Sequence, residues 1–141
     1  MFGGEGAKHE SRLVVMGLVF SGLLTIGQSF GAAGTDLTQT VSGGGVTVKV
    51  TYLGRTEHEA RFSVAMDTHS VNLDVYDLKA KSILRDDTGL AMQPTGMENE
   101  GSGHHRQTIL TFPRPSLRST WTELVIKDIA GVKERRFRWY E

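Results

Sequence analysis

From residue 46 onward, apolar and polar positions alternate with a period of two, and that period predicts strands with one buried face. Val46, Val48, Val50 and Tyr52 fall on one side of the first strand, with Thr47, Lys49 and Thr51 on the other. Phe62, Val64 and Met66 alternate with Arg61, Ser63, Ala65 and Asp67, and Val71, Leu73 and Val75 alternate with Asn72 and Asp74, so two further strands are expected. Lys81 to Arg85 runs into Asp86-Asp87-Thr88-Gly89, whose carboxylates and glycine suit a tight turn, with Leu90 to Gln93 returning as the second arm of a hairpin. Pro94 to Gly103 has three glycines and no alternation, which predicts an exposed loop. Arg106 to Phe112 reads as a strand ended by Pro113 and Pro115. Trp121 to Lys127 and Glu134 to Tyr140 supply the last two strands, joined by Asp128-Ile129-Ala130-Gly131. In the final strand Phe137 and Trp139 face opposite to Arg136, Arg138 and Tyr140.

About seven short strands, with turn signals roughly every ten residues, predict an all-β, antiparallel two-sheet sandwich of immunoglobulin-like size, with a small barrel as the alternative. The expected organisation is an apolar N-terminal helix over 1–34, a flexible linker over 35–45 that contains Ser42-Gly43-Gly44-Gly45, and the sandwich over 46–141.

The N-terminal pattern is different in kind. Leu13 to Ile26, LVVMGLVFSGLLTI, is a continuous apolar run preceded by Lys8 and Arg12 and followed by Gly31, Ala32, Ala33 and Gly34. A short basic region, an apolar stretch and small residues describe a secretory signal peptide, cleaved after Ala33 or Gly34. Gln28 is the only strongly polar side chain between Leu13 and Ala33, so roughly twenty residues could instead span a bilayer as an uncleaved anchor. The expected location is periplasmic or extracellular; under the alternative the chain stays in the inner membrane with its domain outside the cytoplasm. Contact with a membrane is expected only if the segment is uncleaved.

Composition narrows the function classes. The chain has no cysteine, which excludes disulfides, a lipid-modified cysteine and a cysteine nucleophile, so the core alone must hold the domain. Its 16 basic and 16 acidic residues balance, and loss of residues 1–34 removes two of each sign. Net charge therefore gives no reason to expect nucleic acid as a partner. There is no Gly-x-Ser-x-Gly elbow and no phosphate loop, and His58-Glu59-Ala60-Arg61-Phe62 has phenylalanine where a zinc protease needs its second histidine. The expectation is a non-catalytic domain that binds a protein partner or small ligand.

Four residues are candidates for a metal site: Asp67, His69, His104 and His105. On a continuing strand Asp67 and His69 share a face and could grip one zinc or copper ion, whereas His104 and His105 need a bend to converge. Glu98, Glu100 and His58, or Met66, Met92 and Met97 for a cuprous ion, could complete the set. Competing structural roles are turn hydrogen bonding for Asp67 to Ser70, a polar start to the following strand for His104 and His105, and core packing for Met66. The tail Lys133 to Tyr140 interleaves cations with aromatics, which suits either an acidic polymer or an ordinary half-buried strand.

The segments Phe62 to Asp74 (FSVAMDTHSVNLD), Gly103 to Phe112 (GHHRQTILTF) and Ile129 to Trp139 (IAGVKERRFRW) resemble those of a small exported β-sandwich domain of uncharacterised bacterial proteins. The resemblance covers most of the chain beyond the apolar run. It implies an exported bacterial sandwich and brings no activity or ligand with it.

Overall fold

A computed structural model of the chain describes Gly3 and residues 36–141. The proposed signal or anchor lies outside the described residues. Among those described, no helix is long and apolar enough to cross a membrane.

Among the described residues, nine strands form two antiparallel sheets. The strands are β1 (Thr38–Gly43), β2 (Val46–Arg55), β3 (Glu59–Thr68), β4 (Ser82–Asp86), β5 (Ala91–Met92), β6 (Gly96–Ser102), β7 (His105–Pro113), β8 (Trp121–Ile129) and β9 (Val132–Tyr140). One sheet has the order β1-β2-β3-β7-β6 and the other β5-β4-β8-β9. The alternation read from the sequence is the reason they face each other. Val46, Val48, Val50, Phe62, Val64, Met66, Leu110 and Phe112 from the first sheet pack with Leu84, Leu124, Ile126, Phe137 and Trp139 from the second in one buried cluster. Tyr52 stacks on Phe62 at its edge, and Trp139 packs tilted against both, with the Phe62 and Trp139 ring centroids 5.2 Å apart.

Three expectations are corrected. The segment expected as a flexible linker over 35–45 contains β1, which pairs with β2 from Thr38↔Thr51 to Gly43↔Val46. Its two central turn residues, Gly44 and Gly45, both have positive φ, so the glycines form a tight hairpin turn. Val71 to Val75 is no strand: Thr68 Oγ1 accepts the backbone N–H groups of Ser70 and Val71, turning the chain, and Leu73–Val75 forms a single 3-10 turn. Only Leu73 of that trio is fully buried, while Val75 is exposed. Pro94 to Gly103, expected as a loop, contains the edge strand β6. Its pairing comes from the backbone, and its mostly exposed position leaves no apolar alternation to read. Met66 is fully buried in the core stripe of β3.

The chain between β3 and β4 closes one end of the sandwich. After the 3-10 turn, Asp77 Oδ1 accepts from the N–H groups of Lys79 and Ala80 and caps the one-turn helix α1 (Leu78–Lys81). Arg106, inward on β7, donates through Nη1 to the carbonyls of Leu73 and Tyr76 and through Nε and Nη2 to Asn99 Oδ1. The Tyr76 hydroxyl accepts from the Ala130 N–H in the β8–β9 turn.

Candidate functional site

The end closed by residues 68–81 also gathers the four candidate residues. Antiparallel register places Asp67 at the end of β3 directly opposite His105 at the start of β7. Both side chains point outward because their neighbours Met66, Thr68 and Arg106 occupy the inward positions. His105 Nδ1 lies 2.6 Å from Asp67 Oδ1. An ionised carboxylate only accepts, so Nδ1 carries the proton and donates, leaving Nε2 on the other side of the ring.

His69 does not share a face with Asp67, because β3 stops at Thr68 and the chain turns there. His104 sits in the β6–β7 turn, where its carbonyl accepts the Thr68 N–H at 3.0 Å. The segments of His69 and His104 are therefore neighbours through their backbones, while Asp67 and His105 meet through their side chains. His58 lies at the far end of β3, in the β2–β3 turn beside Arg114, whose N–H donates to the His58 carbonyl. Among the described residues no three His, Cys, Asp or Glu side chains converge closely enough to hold a metal ion. Met92 and Met97 are half-buried against the core.

The Asp67–His105 pair lines an open depression of about 250 Å³ on the outer face of the five-stranded sheet, with Ala65, Glu100, Gly101 and Gln107 among the other lining residues. Glu100 reaches it because β6 pairs with β7 in the register Glu100↔Gln107 and Ser102↔His105. Gly101 has φ of +73°, and a Cβ there would stand 2.6 Å from the His105 carbonyl oxygen, so glycine lets the two strands approach at this point. The small side chain of Ala65 forms part of the floor.

Two buried arginines escaped the sequence reading. Arg106 lies beneath the depression in phase with Thr108, Leu110 and Phe112, and Arg135 lies in phase with Phe137 and Trp139. That phase was the available signal. The alternation marked these positions as inward, but a charged residue at the end of an apolar stripe reads equally well as the point where the stripe stops.

The candidate residues thus sit on a sheet face and its adjoining turns. They offer a carboxylate, a positioned imidazole and a second acid to solvent, which suits recognition of a polar partner. No protein-family model, curated protein or solved structure matches the chain.

Proposed function

We propose that this chain is an exported, non-catalytic binding domain of the bacterial cell envelope with immunoglobulin-like topology, engaging a protein partner or ligand through the depression around Asp67 and His105. The strand orders β2-β3-β7-β6 and β5-β4-β8-β9 support the topology, since they correspond to A-B-E-D and C′-C-F-G of immunoglobulin sandwiches. The observation that carries the binding reading is the Asp67–His105 contact, which fixes an exposed polar pair in an open concavity on a rigid sheet. The apolar run Leu13 to Ile26 supports export.

The test is a photoreactive amino acid placed at Gln107, in the depression, or at Leu117, in the exposed loop between β7 and β8, in the full chain expressed in a bacterial host. A discrete crosslinked product from position 107 and none from 117 is expected, in the periplasmic or membrane fraction. Identical products at both positions, no product at 107, or recovery of the chain in the cytosol would overturn the reading.

A second reading, transition-metal binding, is favoured by one observation. Asp67 holds Nδ1 of His105, as carboxylates do behind metal-bound histidines, and leaves Nε2 available, with His69 and His104 on abutting segments. Zinc or copper would require the turns to bring those two imidazoles to Nε2. Purified chain should then retain stoichiometric metal by elemental analysis and lose it on replacement of His104 and His105 by alanine. A metal-free protein whose Tm does not move on adding either ion would exclude this reading.

A further inference from the structure

We propose that the outer face of the four-stranded sheet is a binding surface for an acidic polysaccharide. Register places Arg85, Glu123 and Arg138 in one row across β4, β8 and β9. Glu123 Oε1 accepts from Nε and Nη2 of Arg85 at 2.8 and 2.6 Å, and Oε2 accepts from Nε of Arg138 at 3.0 Å, with its Nη2 at 2.9 Å. The carboxylate side chain is only 4% exposed, whereas those of Arg85 and Arg138 are 37% and 39% exposed. The row therefore hides its acid and presents two guanidinium groups held in fixed orientation.

Neighbouring residues extend this character. The Arg138 guanidinium lies 4.1 Å from the centroid of the Trp121 ring, and Trp121 pairs in register with the exposed Tyr140. Arg136 is held by Glu134, and Lys127 stands opposite Glu134. Arg85, Arg136, Arg138 and Lys127 thus face Glu123 and Glu134, an excess of two positive charges on one face of a chain whose formal net charge is zero.

The chemistry selects among polyanions. Planar guanidinium groups match carboxylates with two parallel hydrogen bonds, and an exposed aromatic ring offers an apolar surface to a sugar. A single-stranded nucleic acid, which relies on several stacked rings, is disfavoured because Arg138 already covers the Trp121 ring and leaves only the Tyr140 ring exposed on this face. A lipid surface is disfavoured because Val125 is buried and Ile83 only half-exposed, leaving no exposed aliphatic patch. The inference draws on the export reading for the availability of such glycans, but binding in vitro is independent of where the chain resides.

The experiment titrates full-length chain with polygalacturonate by calorimetry and compares Arg136→Glu, the double variant Arg85→Ala with Arg138→Ala, and Lys49→Glu on the opposite sheet. Saturable binding is expected, weakened at least about tenfold by the first two and unchanged by the third, and weakened by salt. The double variant leaves Glu123 buried without its partners, so Arg136→Glu provides the reading if that protein does not fold. Absence of saturable binding, equal affinity for wild type and Arg136→Glu, or equal affinity for neutral dextran or single-stranded DNA would overturn the proposal.

Discussion

Arg135 Nη2 donates to the carbonyl oxygen of Gly43 at 2.6 Å, joining the last strand to the end of the first. The same guanidinium donates through Nη1 to the Ile129 carbonyl, and its side chain is fully buried. Burial pulls the Arg135 pKa below its ordinary value, and no carboxylate is paired with it among the described residues. Its worth to the fold therefore lies in satisfying two carbonyls rather than in an ion pair. Arg135→Ala is expected to lower stability by about 3 kcal/mol, from a cavity and the loss of the two hydrogen bonds to these carbonyls. Arg135→Met fills the space and removes a buried charge, so it should cost less than half of that. Urea unfolding of the two variants tests this, and equal losses would refute it.

Gly44 is fixed by the same meeting of hairpin turns. It has φ of +62°, and a Cβ there would stand 2.0 Å from the Ala130 carbonyl oxygen. Gly89 also has positive φ, at +89°, but nothing lies within 4 Å of its Cβ position. Gly44→Ala should therefore cost more than about 2 kcal/mol, whereas Gly89→Ala pays only the conformational penalty of about 1 kcal/mol. Comparison of the two by thermal unfolding isolates the steric part.

Gln39 protects a strand edge. Its Nε2 donates to the Arg138 carbonyl at 2.5 Å and its Oε1 accepts the Arg138 N–H at 3.1 Å, so one side-chain amide substitutes for a neighbouring strand. Gln39→Ala frees both groups on the edge strand β9, and exposed edges pair with one another. A loss of about 1 kcal/mol is expected, with concentration-dependent self-association in analytical ultracentrifugation. A variant that remains monomeric at high concentration would count against this role.

Asp86 and Asp87 tie the β4–β5 turn to the loop before β8. Burial alone would raise the Asp86 pKa, but hydrogen bonds from the Thr88 hydroxyl and the N–H groups of Ser116, Thr88 and Leu90 outweigh it and lower the value. The Thr120 hydroxyl and N–H lower that of Asp87. Depressed folded-state values mean stabilisation that is complete above the unfolded carboxylate pKa, near about 4, and lost as pH falls through the folded values. Stability from denaturant titration should thus fall below about pH 4, and Asp86→Asn should reduce that slope while lowering stability at pH 7 by about 2 kcal/mol. An unchanged acid slope would remove Asp86 from the explanation.

The long half-buried strands were legible because burial on one face writes a period of two into the residues themselves. Val46 to Tyr52, Phe62 to Met66, Arg106 to Phe112, Trp121 to Lys127 and Glu134 to Tyr140 all fall within strands of the fold. The signal fails where a strand buries no apolar face, as in β6, and misleads where apolar residues alternate by chance around a turn, as at Val71 to Val75. The linker expected over 35–45 failed for another reason. Three consecutive glycines describe a flexible joint and a tight hairpin turn equally well, and only the register Gly43↔Val46 distinguishes them.

Sequence alone determined the charge balance, the absence of cysteine and the two-sided character of the main strands, because these are properties of single residues and their spacing. Tertiary structure decided which residues meet. Asp67 is separated from its predicted partner His69 by the end of β3 and paired with His105, 38 positions away, by antiparallel register. Arg85, Glu123 and Arg138 come from three strands and share one row only after the second sheet assembles. Contacts of that kind depend on strand order and register, which follow from packing of the whole core and leave no mark on the local pattern.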